Sequence, residues 1–247
     1  MIDLGNQNII TGRNPVIEAL KTGRTIDRIL IQKNAGGSIG KIISLAKKAG
    51  VRTEPSEKKA LDRIAGGGSH QGVIAYISGY EYGTFGDIAR KAEEAGEDPF
   101  VVILDNIEDP HNLGAIMRSA ECAGAHGVII PKRNSCGLTE TVAKSSAGAI
   151  EYMPCVRVTN IASVIESLKK EGYWIAACDM GETPYYKQDL KGKLGVVIGN
   201  EGTGISRLVK EKCDFTVSMP MKGKINSLNA SNAAAIVLYE VRRQRDM

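Results

Sequence analysis

Apolar and polar residues alternate along this chain in short blocks that predict strands and helices in turn. Residues 39–48 place apolar side chains every three or four positions, the spacing of one helix face, and Gly50 follows as a helix stop. Continuous apolar runs at 100–104 and 194–198 predict strands that are buried on both faces. Further strands are predicted over 26–31, 73–78, 127–130 and 173–178, and further helices over 16–21, 56–64, 113–123, 161–170 and from Ser227 to about Arg243. This alternation predicts an α/β fold with a mostly parallel sheet covered by helices.

The same pattern divides the chain into two domains. Residues 1–80 predict a small α/β unit, whose first helix is expected to start at Asn14 and Pro15 and whose last strand follows a glycine-rich stretch. Residues 81–99 contain several glycines and an acidic surplus, so we interpret them as a linker with one helix near 88–95. The rhythm of strands and helices restarts at Phe100 and defines a second domain over 100–247.

Composition narrows the class of protein. Of the 247 residues 43% are apolar and 24% are charged, which is typical of a globular protein. No apolar run approaches the roughly 18 residues of a membrane helix, and the first ten residues lack the pattern of a signal peptide. The five cysteines are odd in number and include no C-x-x-C pair, which favours reduced thiols over disulfides or a zinc site. We therefore expect a cytoplasmic protein without a bound metal.

The charge is uneven along the chain. The net charge is +4, but residues 1–80 contain 12 Lys and Arg against 6 Asp and Glu. Contacts to nucleic-acid phosphates need such clustered cations, so this domain is a candidate RNA surface. A solvated surface with a modest surplus of positive charge explains the same counts, and charge alone favours that interpretation.

Three polar segments lie at the strand ends or helix starts where open α/β sheets bind ligands. In the first, residues 105–120, a polar loop leads into a helix that begins near Asn112 and carries Arg118 among small and apolar residues. Such an arginine is either a buried ion-pair partner or an anion-binding group, and the polar loop before it favours a site. Cys122 on the same helix is interpreted as a core residue.

In the second segment, residues 196–205, a buried strand runs into Gly199, Asn200, Glu201 and Gly202, which leaves backbone N–H groups free to face a ligand. A plain tight turn would explain this pattern as well.

The third segment, residues 217–234, contains three asparagines within seven residues. Ser227 or Asn226 is expected to cap the final helix, with Asn229 and Asn232 on one face. Its alternative is a well-capped helix that faces solvent.

Taken together, the three segments closely resemble the motifs of the SpoU (TrmH-like) branch of the SPOUT RNA methyltransferases. Residues 112–118 match N-x-G-A-x-x-R, residues 199–202 match G-N-E-G, and residues 227–231 match S-L-N-x-S. Residues 1–80 resemble the small RNA-binding domain, similar to ribosomal protein L30e, that precedes the catalytic domain of many members. The bacterial 23S rRNA guanosine 2′-O-methyltransferases are the most similar group.

This resemblance implies that the second domain is an α/β fold with a deep trefoil knot, that it binds S-adenosylmethionine in the knotted loops, and that two subunits form a composite RNA site. It implies that Arg118 is catalytic, either as the general base or, more easily for a guanidinium, by holding the phosphate beside the target ribose. His111 and His126 are weaker candidates for a base. The other site residues that it implies are Asn112, Glu201, Ser227 and Asn229 for catalysis, and Gly199, Asn200, Gly202, Met219 and Leu228 for the cofactor.

For the first domain, Arg13 and the glycine-rich loop with His70 and Gln71 are the best candidates for RNA contacts, because a loop with hydrogen-bond donors suits irregular RNA. Other basic residues, Arg24, Lys33 and Arg52 among them, are more often merely solvated. The expected substrate is rRNA. The alternatives are a tRNA 2′-O-methyltransferase, although such enzymes often lack this first domain, and a non-catalytic RNA-binding or ribosome-assembly factor.

Overall fold

The structure is a computed structural model that describes residues 9–22, 24–77 and 79–247. It divides into two compact units, Met1–Glu81 and Tyr82–Met247. None of the helices in these described residues is long and apolar enough to cross a membrane.

The first unit is a four-stranded sheet with helices on both faces. Its elements are β1 (Ile9–Thr11), α1 (Arg13–Lys21), β2 (Ile26–Gln32), α2 (Ile39–Ala49), β3 (Arg52–Ser56), α3 (Lys58–Ile64) and β4 (Val73–Ile77). The strand order is β1-β4-β2-β3, with β2 parallel to β3 and β4 antiparallel to its neighbours. Alternate residues of β2 point to opposite faces, so Ile29 packs with α1 and α2 while Leu30 packs on Leu61 of α3.

Three details of the first unit differ from the sequence prediction. Strands β1 and β3 were not predicted, because one has only three residues and the other, Arg52–Ser56, contains no Val, Ile, Leu or aromatic residue. Helix α1 starts at Arg13, with Gly12 at its N-cap and no side-chain cap, so the expected start at Asn14 was wrong. The glycine is needed there because its φ of 93° lies in the left-handed region.

The second unit is a six-stranded sheet in which every pairing is parallel. Its elements are α4 (Phe85–Ala95), β5 (Phe100–Asp105), α5 (Pro110–Cys122), β6 (Gly127–Pro131), α6 (Glu140–Ser145), β7 (Cys155–Val158), α7 (Ile161–Lys170), β8 (Trp174–Cys178), β9 (Leu194–Gly199), α8 (Arg207–Lys212), β10 (Phe215–Val217) and α9 (Ala230–Arg245). The strand order is β10-β8-β9-β5-β6-β7. This confirms the α/β class and the mostly parallel sheet, while the knot stays a prediction.

Residues 81–99 do not form the linker that the sequence suggested. Helix α4 begins with a capping box, in which Thr84 and Asp87 exchange hydrogen bonds. Its buried Ile88 belongs to the core of the second unit, and a side chain at Gly127 would lie 2.4 Å from Ile88 Cγ1. The Gly83 N–H also donates to the Cys155 carbonyl, 2.9 Å away. The second unit therefore begins at Tyr82 rather than at residue 100.

Candidate active site

The three motif segments converge at the carboxyl ends of the parallel strands. The last residue of β5, Asp105, lies opposite the last residue of β9, Gly199, so the loops that follow these two strands start side by side. The buried Asp105 carboxylate accepts a hydrogen bond from the Ser206 N–H at 2.7 Å, which closes the second loop back onto the first strand. Asn200 joins the two loops, because its Nδ2 donates to the Asn106 carbonyl at 3.0 Å.

A network of three polar side chains links the segments. Asn112 Nδ2 donates to Glu201 Oε1 at 2.8 Å, and Asn229 Nδ2 donates to Asn112 Oδ1 at 3.0 Å and also to Glu201 Oε1. The Ala230 N–H at the start of α9 donates to the same Glu201 oxygen at 3.2 Å. Residues separated by 89 and 117 positions in the chain thus meet at one carboxylate.

Each partner in this network is placed by a local feature of the backbone. Helix α5 starts at Pro110, after Asp109 has accepted the His111 N–H as its N-cap, and this brings Asn112 into the first turn. Asn200 Oδ1 accepts the N–H groups of Gly202 and Thr203 at 2.8 and 3.3 Å, which folds the backbone around Glu201 into a tight turn.

The final helix begins later than the sequence predicted. Asn229, and not Ser227 or Asn226, is the N-cap of α9, and its Oδ1 accepts the N–H groups of Ser231 and Asn232. Asn229 therefore caps the helix with its oxygen and holds Glu201 with its nitrogen. The exposed Ser227 makes no hydrogen bond to this network in the described part of the chain.

Arg118 stands apart from the network. It lies on α5 six residues beyond Asn112, which is about 9 Å along the helix axis and about 240° around it. Its side chain is exposed, and no ion pair or hydrogen bond holds it within the described residues. The alternative of a buried ion-pair partner was therefore wrong. Cys122, one turn further on, is also exposed, so its interpretation as a core residue was wrong too.

The residues expected to hold the cofactor lie in the loops at the same edge of the sheet. A side chain at Gly199 would come within 2.4 Å of the backbone of Gly204 and Ile205, so the close fold of its own loop requires a glycine here. Met219 follows β10, and Leu228 stands just before α9. Between them, residues 219–229 form no helix or strand.

These loops suit a ligand with an apolar face. Met221, Ile225 and Leu228 all expose large apolar side chains in the segment between β10 and α9. Such side chains are covered favourably by an aromatic ring system such as adenine. The residues present therefore fit an adenosyl group, and they would hold it by apolar contact. The N–H groups of Asn200 and Gly202, which the sequence left free to face a ligand, are instead bonded within their own tight turn, to the Gly204 carbonyl and to Asn200 Oδ1.

A small acidic cleft of about 200 Å³ opens beside the network, between the loops that follow β5 and β9. It is lined by Ile107, Glu108, Asp109, Asn112, Asn200, Glu201 and Gly202. Only one oxygen of Glu201 accepts the network's hydrogen bonds, so in the described residues its second oxygen is left to accept a bond from a ligand. Such carboxylates would repel a phosphate and attract hydroxyl or amine donors.

His126 is buried in the second unit and has a structural role. The His126 backbone N–H donates to the Phe100 carbonyl at 2.7 Å, and its Nδ1 accepts the Phe100 N–H at 2.9 Å. Burial lowers the pKa of His126 to about 4, a change that Glu97 opposes and the nearby cations assist. Burial also raises the pKa of Cys155, Cys178 and Cys213 to about 12, so none of these thiols is a nucleophile at neutral pH.

The low pKa of His126 predicts an acid-sensitive stability. A histidine in an unfolded chain has a pKa near 6.5. Between about pH 6.5 and pH 4 the unfolded chain therefore binds a proton at position 126, whereas the folded protein does not. The free energy of unfolding should fall on acidification through this range, by at most about 1.4 kcal/mol per pH unit from this residue. In His126→Asn, where the amide oxygen can still accept the Phe100 N–H, urea unfolding at about pH 7.5 and about pH 5 should show a smaller loss. An equal loss in both proteins would assign the acid sensitivity to other groups.

In the first unit, the three residues proposed from the sequence lie together. Arg13 contacts Gln71 twice, through its backbone N–H to Gln71 Oε1 at 3.1 Å and through Nε to the Gln71 carbonyl at 2.9 Å. His70 is only 6% exposed, so its ring is not placed on the surface for a direct RNA contact. Lys33 and Arg52 are paired with Glu57 and Glu54, at 2.6 and 3.0 Å.

The described residues contain no cluster of three or more His, Cys, Asp or Glu side chains that could hold a metal ion. The polar network at the strand ends is made of amides and one carboxylate, and its contacts are hydrogen bonds within the protein.

Comparison with known proteins finds a family match for each of the two units. Residues 99–239 match the family model described as the SpoU rRNA Methylase family, and residues 9–83 match the model described as RNA 2'-O ribose methyltransferase substrate binding. YacO of Bacillus subtilis (strain 168), assigned to the TrmH family of tRNA/rRNA methyltransferases, is 47% identical over 96% of each chain.

Solved structures show the same fold. The SpoU methyltransferase AviRb from Streptomyces viridochromogenes, in complex with the cofactor AdoMet, has a TM-score of 0.62 and 26% identity, and the match covers 98% of this chain and 95% of that one. A TrmH/SpoU tRNA modifying enzyme of A. aeolicus has a TM-score of 0.56 and 26% identity, over 64% of this chain and 82% of that one.

The two units therefore define an RNA methyltransferase that uses S-adenosylmethionine. The chain belongs to the SpoU rRNA methylase family.

Proposed function

We propose that this enzyme methylates the 2′-hydroxyl of a guanosine in 23S rRNA, with the network of Asn112, Glu201 and Asn229 at its active site. The observation that carries this proposal is the convergence of three distant motif segments on the Glu201 carboxylate, beside a small acidic cleft. The substrate-binding unit supports an rRNA substrate, because the match to the tRNA modifying enzyme of A. aeolicus covers only 64% of this chain.

Bound S-adenosylmethionine supplies a methyl group on a sulfonium, which is already a good leaving group. The chain's own residues have to align the ribose oxygen and take up its proton. Glu201 lines the acidic cleft, and its second oxygen can accept a hydrogen bond from a ribose hydroxyl and take up the proton as the methyl group is transferred. Asn112 and Asn229 fix that carboxylate by donating to its other oxygen, so they are positioning residues.

Arg118 then acts on the RNA rather than on the network. An exposed guanidinium without an ion pair is available to bind the phosphate next to the target ribose in a bidentate way. This contact lowers the pKa of the hydroxyl by placing positive charge near the forming alkoxide. Deprotonating arginine itself at neutral pH would cost far more, so phosphate binding is the role we propose.

We propose further that the active unit is a homodimer. Arg118 faces away from Asn112 in one chain, and its exposed helix face also carries His111 and Cys122. A second chain that covers this face of α5 would let Arg118 reach RNA bound at the network of its partner, which makes the RNA site composite. Exposed Ile236 and Tyr239 on α9 are apolar side chains that such a contact would bury.

Glu201 should matter through its network and not through charge alone. Replacing Glu201 by Ala removes the acceptor for three donors, and we expect kcat/KM to fall by about 10- to 100-fold. Glu201→Gln keeps an oxygen acceptor and should recover part of the loss. Steady-state methyl transfer to 23S rRNA measures both, with Glu108→Ala as the control at the rim of the same cleft. Equal losses for Glu108→Ala and Glu201→Ala would contradict a role for the network.

The substrate is tested by mapping 2′-O-methyl sites in the rRNA and tRNA of cells with and without this gene. Loss of one 23S rRNA guanosine methylation, restored by the wild-type gene and not by Arg118→Ala, is the expected result. A lost tRNA site would establish the tRNA alternative. Unchanged methylation in both RNAs would favour a non-catalytic role in ribosome assembly.

A further inference from the structure

The first unit contains a second, larger cleft. It has a volume of about 690 Å³ and lies between the start of α1, the start of α3 and the loop that precedes β4. Arg13, Lys58, Asp62, His70 and Gln71 are among the residues that line it. This volume is in the range of small-ligand sites, and it is larger than the acidic cleft of the second unit.

His70 makes two hydrogen bonds that support the loop beside this cleft. The His70 Nδ1 accepts the Gly72 N–H at 3.0 Å, and its Nε2 lies 2.9 Å from Asp62 Oδ1. Because Nδ1 acts as an acceptor, the proton is on Nε2, which donates to Asp62. The residue between these anchors, Gln71, has a φ of 49° in the left-handed region, which a residue other than glycine adopts at a cost.

Arg13 and Gln71 present free donors to the cleft. Arg13 Nε is bonded to the Gln71 carbonyl, which fixes the guanidinium plane against the loop. The oxygen of the Gln71 amide accepts the Arg13 N–H, while its nitrogen donates no hydrogen bond in the described residues. An oriented amide donor and a fixed guanidinium are groups that recognise a base edge and a phosphate.

The charge on the cleft favours an anion. Arg13 and Lys58 form no ion pair in the described residues, whereas the nearby Lys33 is paired with Glu57. The Asp62 carboxylate, in contrast, accepts a hydrogen bond from His70. Two unpaired cations and a free amide thus face one space.

We propose that this cleft binds one unpaired nucleotide of the RNA substrate, with its phosphate on Arg13 and Lys58 and its base edge on the Gln71 amide. A base that is splayed out of a loop can enter a concave site, whereas the bases of a continuous duplex stay stacked inside the helix. His70 is a positioning residue for this loop. The inference rests on the proposed role of the first unit in RNA binding and adds the site and the form of the RNA.

The test uses the full-length protein and two labelled RNAs, a hairpin with a loop of about seven unpaired nucleotides and a blunt duplex with the same stem. Affinity is measured by fluorescence anisotropy over a series of salt concentrations. The wild type should bind the hairpin more tightly than the duplex. Equal or tighter binding of the duplex would overturn the proposal of an unpaired nucleotide.

Two neighbouring lysines on α3 make a matched pair. Both side chains are exposed, but only Lys58 lines the cleft. For hairpin binding, Lys58→Ala should reduce the slope of log affinity against log salt by about 0.7, the effect of one lost phosphate contact on a single strand. Lys59→Ala should leave it unchanged. Equal slopes for the two variants would overturn the phosphate site.

Gln71→Gly tests the base contact without straining the loop, because glycine adopts the left-handed conformation readily. We expect weaker hairpin binding with an unchanged salt slope, since the amide is neutral. Unchanged affinity would overturn the role of the amide.

Methyl transfer by the wild type to unmodified 23S rRNA, measured alongside, separates this inference from the proposed function. If the wild type is active but Lys58→Ala and Lys59→Ala have the same salt slope for hairpin binding, only the proposed nucleotide site is rejected. If the wild type does not methylate 23S rRNA, the proposed function is rejected.

Discussion

Arg118→Ala should lower kcat for methyl transfer by about 100- to 10,000-fold, the range that one catalytic group contributes. Cofactor binding and thermal stability should change little, because within its own chain Arg118 is exposed and makes no ion pair or hydrogen bond to the described residues. Surface substitutions of this kind are usually close to neutral for stability. Initial rates with saturating S-adenosylmethionine and 23S rRNA, beside a calorimetric cofactor titration, measure the two effects separately.

Two further variants define the role of Arg118. Arg118→Lys keeps the charge but not the fork of donors, so partial recovery of the rate is expected if the group binds a phosphate. Lys170→Ala, which removes an exposed cation at the end of α7, is the control and should retain the wild-type rate. A near-normal rate for Arg118→Ala, or an unfolded variant, would contradict the catalytic assignment.

Removing residues 1–81 should nearly abolish RNA binding and leave the cofactor site intact. The remaining chain contains 20 Lys and Arg against 21 Asp and Glu, so its net charge is −1, whereas the whole chain carries +4. The core of the second unit lies within residues 82–247, and its capped helix α4 is retained. The shortened protein should therefore fold and bind S-adenosylmethionine.

RNA-binding titrations over a range of salt concentrations measure the loss of affinity in the shortened protein. The full-length protein should show the steeper dependence of affinity on salt, by about 0.7 to 0.9 in the slope for each phosphate contact that the first unit makes. A sizing measurement on both proteins tests the dimer, which should survive because its proposed surface lies on α5 and α9. Equal affinity and slope would contradict RNA recognition by the first unit, and a monomeric shortened protein would contradict the proposed interface.

The strands that could be predicted from the sequence share a position in the fold. All six of them, β2, β4, β5, β6, β8 and β9, lie inside their sheets and have neighbours on both sides. The four that were missed, β1, β3, β7 and β10, are the edge strands of the two sheets. An edge strand has one neighbour and is often short, so its sequence needs fewer apolar residues and the pattern is weak.

For the site, the motif residues could be found from the sequence, but their contacts could not. The pattern did not show which polar residue caps α9, because Asn226, Ser227 and Asn229 all have a suitable side chain. Nor did it show that Gly199 is needed by its own loop, where the backbone of Gly204 folds back within 2.4 Å of a would-be side chain. The separation of Arg118 from the network follows from its angle on α5, which a linear motif does not display.

Identifying the methylated atom tests the proposed 2′-O-methyl transfer most directly. Purified protein is incubated with radiolabelled S-adenosylmethionine and 23S rRNA from cells that lack the gene, and the product is analysed by alkaline hydrolysis and nucleoside mass spectrometry. We expect 2′-O-methylguanosine, recovered as an alkali-resistant dinucleotide, from the wild type and not from Arg118→Ala. Methyl groups on a base, or no transfer to any RNA, would contradict it.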